Sequence, residues 1–95
     1  MEEDLIAAAD ICLYHNVEYT FISSLGDAGL IALKFVDHDV YLPQNELFKL
    51  EKMIRMHLEL DINLAGIEAI SHLLQRVEQM QEELRILKNR TIFHE

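Results

Sequence analysis

In the last third of the chain, apolar residues recur at alternating spacings of three and four: Ile70, Leu73, Val77, Met80, Leu84 and Leu87. This is the a and d pattern of three heptads. Asn63 is placed to cap the helix that carries it, and that helix begins at Leu64 and holds no proline and one glycine, Gly66. A lone helix would leave the stripe in water, so the pattern predicts a homodimer held through it. Folding back onto the preceding residues is the other way to cover it, but the stripe runs about twenty residues beyond any element they could supply. Heptads alone leave parallel and antiparallel pairing open.

The rest of the chain changes period several times. Leu5 to Tyr14, rich in alanine and leucine, predicts a short helix whose Ile11, Cys12 and Tyr14 close onto a core, with a break at His15-Asn16. Val17, Ile22, Leu25 and Ala28 predict a second helix from Glu18 or Tyr19 to Ala28, with Gly29 as its cap, and the pair reads as a helix-turn-helix. Leu30–Val36 and Val40–Leu42 read as strands about an Asp37-His38-Asp39 turn, a hairpin wing. Pro43 stops the strand and suits the first turn of a third helix, with Leu47, Leu50, Ile54 and Leu58 inward and Lys49, Glu51, Lys52 and Arg55 outward, running to about Leu60. The predicted fold is mainly α. A winged helix-turn-helix head spans 1–62 and a coiled-coil dimerisation helix spans 63–95, together one structural domain.

With 95 residues, 51% of them hydrophobic and 26% charged, the chain has material for one core and no second. Its formal charge of -9 disfavours phosphate backbones and anionic lipid and favours basic partners. Met1-Glu2-Glu3-Asp4 lacks the cationic start of a signal peptide and reads as a solvated or partner-facing acidic end. No apolar run approaches a membrane span, and the single cysteine forms no internal disulfide, so a cytoplasmic location is expected. Asn89-Arg90-Thr91 matches a glycosylation sequon that such a location would leave unused.

Catalytic chemistry finds no foothold. His15, His38, His57, His72 and His94 show no spacing of four that would place two imidazoles on one helix face, so no metal site is expected. Cys12 sits in an apolar helix with no basic neighbour and reads as a structural thiol. There is no phosphate-cradling glycine loop and no nucleophile elbow. The expectation is a non-enzyme with no cofactor.

The order helix-turn-helix, wing, third helix and coiled-coil helix resembles the MerR superfamily from about Ile6 to Arg90. DICLYHNVEYTFISSLGDAGLI stands where such proteins carry their two DNA-reading helices, and VYLPQNELFKLEKMIRMHLELDINLAGIEAI resembles the segment after the wing. LLQRVEQMQEELRILKNR resembles the dimerisation helix, and the C-terminal half, with the Cys12-Leu13 pair, resembles the chaperone-modulator branch, CbpM and its relatives. DNA-binding members carry a serine, proline, arginine, threonine, leucine, arginine run in the second helix. Here Glu18-Tyr19-Thr20-Phe21-Ile22-Ser23 puts Thr20 and Ser23 where the arginines belong, and no lysine or arginine precedes Lys34. A head without cations should be repelled by DNA. The branch resemblance implies binding to the J-domain of a CbpA/DnaJ-type co-chaperone and inhibition of its stimulation of DnaK, and a MerR-like transcriptional regulator with a degenerate head is the other reading. Leu13, Tyr19 and Phe21 fall where the superfamily pattern places solvent-facing positions, and with Glu18 and Asp27 they form the expected partner-binding set; the opposing arrangement tucks one or more of the three into the core.

Overall fold

In the computed structural model, which describes residues 4–93, the chain runs β1 (Leu5–Ala7), α1 (Ala8–His15), α2 (Tyr19–Asp27), β2 (Lys34–Val36), β3 (Asp39–Pro43), a 3-10 turn (Gln44–Glu46), α3 (Leu47–Leu58) and α4 (Leu64–Phe93). The helix expected from Leu5 therefore begins three residues late. Leu5, Ile6 and Ala7 instead pair antiparallel with Pro43, Leu42 and Tyr41, and the Asp4 carbonyl accepts from the Gln44 N–H at 2.9 Å. β3 lies at the centre of a sheet ordered β1-β3-β2, so its backbone needs partners on both sides, and that ladder outweighs the helix propensity of the alanine run. Pro43 closes β3 rather than opening the next helix. The Gln44 bond shows that even-numbered positions face β1, so the missing N–H of Pro43 faces the β2 side, beyond the point where that ladder ends at Lys34–Tyr41.

α1 buries Ala8 and Ile11, with Cys12 and His15 half-buried on the same face. At about 100° per residue Tyr14 falls roughly 110° from the centre of that face, and Leu13 falls opposite it. The expected core role of Tyr14 is thereby corrected: it is 85% exposed. Asn16 then takes φ 56 and ends the helix at the expected break.

α2 sends Ile22 and Leu25 into the centre of the core. Gly29 closes it at φ 76, with the Gly29 N–H bonded to the Gly26 carbonyl and the Leu30 N–H to the Leu25 carbonyl, the paired bonds of a Schellman cap. That cap explains why the strand expected from Leu30 is only Lys34–Val36. Leu30 spends its N–H on the helix end, and Leu30 and Ile31 are both buried, which an alternating strand does not allow. The turn is Asp37-His38 alone, and Asp39 already pairs with Val36.

α3 ends at Leu58, short of the expected Leu60, and buries Leu50, Met53 and Ile54 while Leu58 stays exposed. At the bend Asp61 takes φ 54, and the Ile62 N–H reaches the Met56 carbonyl. Asn63 caps α4 as its position predicts, its side-chain oxygen accepting from the Gly66 N–H at 2.8 Å. Ile67, fully buried among Ile22, Leu25, Leu42 and Leu50, fixes the start of α4 to the head. From His72 to Thr91 every residue of the helix is exposed.

Candidate protein-binding surface

The turn between α1 and α2 brings an apolar and acidic surface together. Leu13 projects from the outer face of α1 at 83% exposure, Tyr14 stands beside it, and Tyr19 opens α2 with its ring partly uncovered. Glu18, at the N-terminal boundary of α2, is exposed and accepts a hydrogen bond from the Thr20 hydroxyl at 3.3 Å. Asp27 is exposed too, at the far end of α2, so a nine-residue helix of about 14 Å separates it from Glu18.

Phe21 differs from its neighbours. It is half-buried against the core, and its ring stacks on His57 with centroids 4.4 Å apart and planes 15° from parallel. His57 Nδ1 in turn lies 3.2 Å from the Ile62 carbonyl oxygen, so Phe21 sits on the α3–α4 bend instead of facing solvent with Leu13 and Tyr19. Among the expected partner-binding residues, Leu13, Glu18 and Tyr19 are exposed on either side of the α1–α2 turn, Asp27 is exposed at the far end of α2, and Phe21 faces inward. The residue missed from sequence is Tyr14. Its position about 110° from the centre of the face shared by Ala8, Ile11, Cys12 and His15 was the available signal.

His15 ties this surface to α3. Its Nε2 is 3.3 Å from a Glu51 carboxylate oxygen, and its ring meets the edge of Tyr14 with centroids 4.9 Å apart. Cys12 is half-buried against the core, and burial pushes its thiol pKa up, with a smaller opposing effect from a backbone hydrogen bond. A thiol held in that direction is a poor nucleophile at neutral pH. Among the described residues no group of three histidine, cysteine, aspartate or glutamate side chains could hold a metal ion, and His94 lies outside them.

The C-terminal seam is equally open in the single chain. Leu73, Val77, Met80, Leu84 and Leu87 are all exposed, and Ile70 is half-buried where the helix leaves the head. Arg85 and Glu82 form a bidentate pair off the seam, at 2.6 and 3.0 Å. A groove of about 440 Å³ separates α3 from the first turns of exposed α4, with Met53, Met56 and Leu74 in its wall and Lys52 Nζ 4.7 Å above the Phe48 ring.

Two short helices about a tight turn, a hairpin wing and a long terminal helix are the parts of one known architecture, and the family model described as MerR HTH family regulatory protein matches residues 6–89. The chain belongs to the MerR family. No curated protein matches it. The MerR match runs from within β1 through α2, the wing and α3 to residue 89 of α4. Thr20 sits exposed on the first turn of α2, and Ser23 is half-buried one turn later. Neither can neutralise a phosphate. No helix among the described residues is long and apolar enough to cross a membrane.

Proposed function

We infer that this MerR-family chain is a chaperone modulator, a cytoplasmic homodimer whose head binds the J-domain of a CbpA/DnaJ-type co-chaperone and blocks its stimulation of DnaK. The observation that carries this reading is the surface of the helix-turn-helix. Where a DNA reader needs cations it presents Leu13, Tyr14 and Tyr19 with Asp10 and Glu18, and no lysine or arginine lies anywhere before Lys34. J-domains engage DnaK through a basic helix. An acidic surface meets such a helix with complementary charge, which speeds encounter, while the exposed apolar side chains supply the holding energy that surface ion pairs do not.

The test adds the purified protein to DnaK and its cognate J-protein. J-stimulated ATP hydrolysis is expected to fall while the basal DnaK rate stays constant. Unchanged stimulation at concentrations where the dimer is intact removes the assignment. The second reading, a MerR-like transcriptional regulator with a degenerate DNA-binding head, rests on the family match alone. Titration against random duplex at physiological salt separates the two: no saturable binding is expected up to roughly 10⁻⁴ M, and micromolar binding that weakens steeply with salt would establish the regulator instead.

A further inference from the structure

The wing carries an aromatic side chain that the fold does not use. All three residues of β2 are exposed, and Phe35 is open at 73%. Phe35 pairs with Val40, so these two share one face of the hairpin, while Lys34 and Val36 share the other with Tyr41 and Asp39. Val40 is half-buried. The Phe35 ring is therefore presented outward from a strand whose packing is chiefly against β3.

Two features make this a built presentation. Asp37 takes φ 57, the left-handed conformation that lets two residues reverse the chain between Val36 and Asp39 and fixes where the strand points. Among the described residues β2 is also an edge strand, and since Tyr41 and Asp39 bond toward it, the N–H and C=O of Phe35 point away from β3. An open aromatic on a free edge is a hazard for self-pairing, which charge at the edge opposes. Here the charge is acidic. Asp37 and Asp39 are exposed at the tip on either side of His38, and Lys34, the hairpin's one lysine or arginine, lies on the face opposite Phe35.

We propose that the wing is a second docking element, in which Phe35 enters an apolar pocket on a cationic protein surface while Asp37 and Asp39 face its lysines or arginines. This rests on the reading of the head as a J-domain binder, and the occupant is the same partner. Charge complementarity selects it: carboxylates at the tip exclude a phosphate backbone and match a basic helix.

Binding kinetics with the purified cognate J-domain test the proposal, using the full-length protein, Phe35→Ala, Leu13→Ala and the double variant Asp37→Asn/Asp39→Asn, whose asparagines keep the turn. Phe35→Ala should raise Kd by about 5- to 100-fold, mainly through faster release, with a melting temperature within roughly 2 °C of the parent. The asparagine pair should slow association and flatten its salt dependence. If Phe35→Ala binds like the parent while Leu13→Ala weakens binding, the wing proposal falls and the J-domain reading stands. If the parent protein does not bind the J-domain, both fall. If Phe35→Ala instead abolishes self-association and leaves J-domain binding intact, the patch belongs to a second copy and the proposal is overturned.

Discussion

Phe21 and Leu13 are both large apolar residues of the helix-turn-helix, yet the forces on them differ. Phe21 touches the core and stacks on His57, which itself meets the Ile62 carbonyl, so truncating it removes packing from α2 and from the α3–α4 bend together. Phe21→Ala should cost about 2–3 kcal/mol and lower the melting temperature by roughly 10 °C. Leu13 contributes almost no buried area. Leu13→Ala should leave stability within about 0.5 kcal/mol while weakening partner binding, and thermal unfolding measured beside J-domain affinity separates the two effects. Cys12 supplies a pH-dependent counterpart. Its folded thiol pKa is raised above the unfolded value by burial, so its contribution to stability is complete below the ordinary thiol range near pH 8.5 and is lost as pH rises through the folded pKa. Native protein should react slowly with a thiol reagent at pH 7.5, and its melting temperature should fall more steeply than that of Cys12→Ser as pH rises above the ordinary thiol range near about 8.5.

Element boundaries are set by single residues whose replacements have separate signatures. Gly29 ends α2 at φ 76, where a Cβ meets open space but an L side chain is strained. Gly29→Ala should therefore cost about 1–2 kcal/mol through the backbone alone, whereas Asn63→Ala should cost about 1 kcal/mol by freeing the Gly66 N–H, both read from chemical denaturation midpoints. These two ends were legible in the sequence because a helix cap is local: a glycine or asparagine beside a change of hydrophobic period is enough. The long helix was legible for the same reason. β1 was not, because nothing in Leu5-Ile6-Ala7 announces a strand; its cause is β3, some 35 residues away along the chain. The shortened β2 has a mixed cause, since Gly29 pointed to the cap but not to the burial of both Leu30 and Ile31. On the candidate surface, charge could be read from composition, and the exposure of Leu13 followed from the superfamily resemblance. The inward turn of Phe21 depends on His57 arriving from α3, a contact that spacing along α2 does not contain.

At the scale of the molecule, charge is distributed as unevenly as burial. Between residues 4 and 62 ten carboxylates face only Lys34, Lys49, Lys52 and Arg55, while residues 84–93 hold Arg85, Lys88 and Arg90 and no carboxylate. A second copy closing the exposed α4 seam can run in either direction with every a and d position used. Parallel pairing gains a Glu83–Lys88 contact between copies, but it sets acidic head beside acidic head and basic end beside basic end. Antiparallel pairing matches Ile70 with Leu87, Leu73 with Leu84 and Val77 with Met80 of the other copy, brings Arg76 to Glu83, and lays each basic end along the other copy's acidic head. The antiparallel dimer is the expected one. Leu84→Lys should place a charge in the seam and yield monomer by sedimentation at tens of micromolar, roughly where an ordinary cytosolic dimer is intact. Orientation is read by cross-linking in a Cys12→Ser background. Leu87→Cys alone should form no disulfide dimer, because antiparallel copies of position 87 lie about 25 Å apart. Adding Ile70→Cys should produce one rapidly under mild oxidation. Rapid cross-linking by Leu87→Cys alone would establish the parallel pair and show that seam contacts, rather than the separation of the heads, decide how the copies meet.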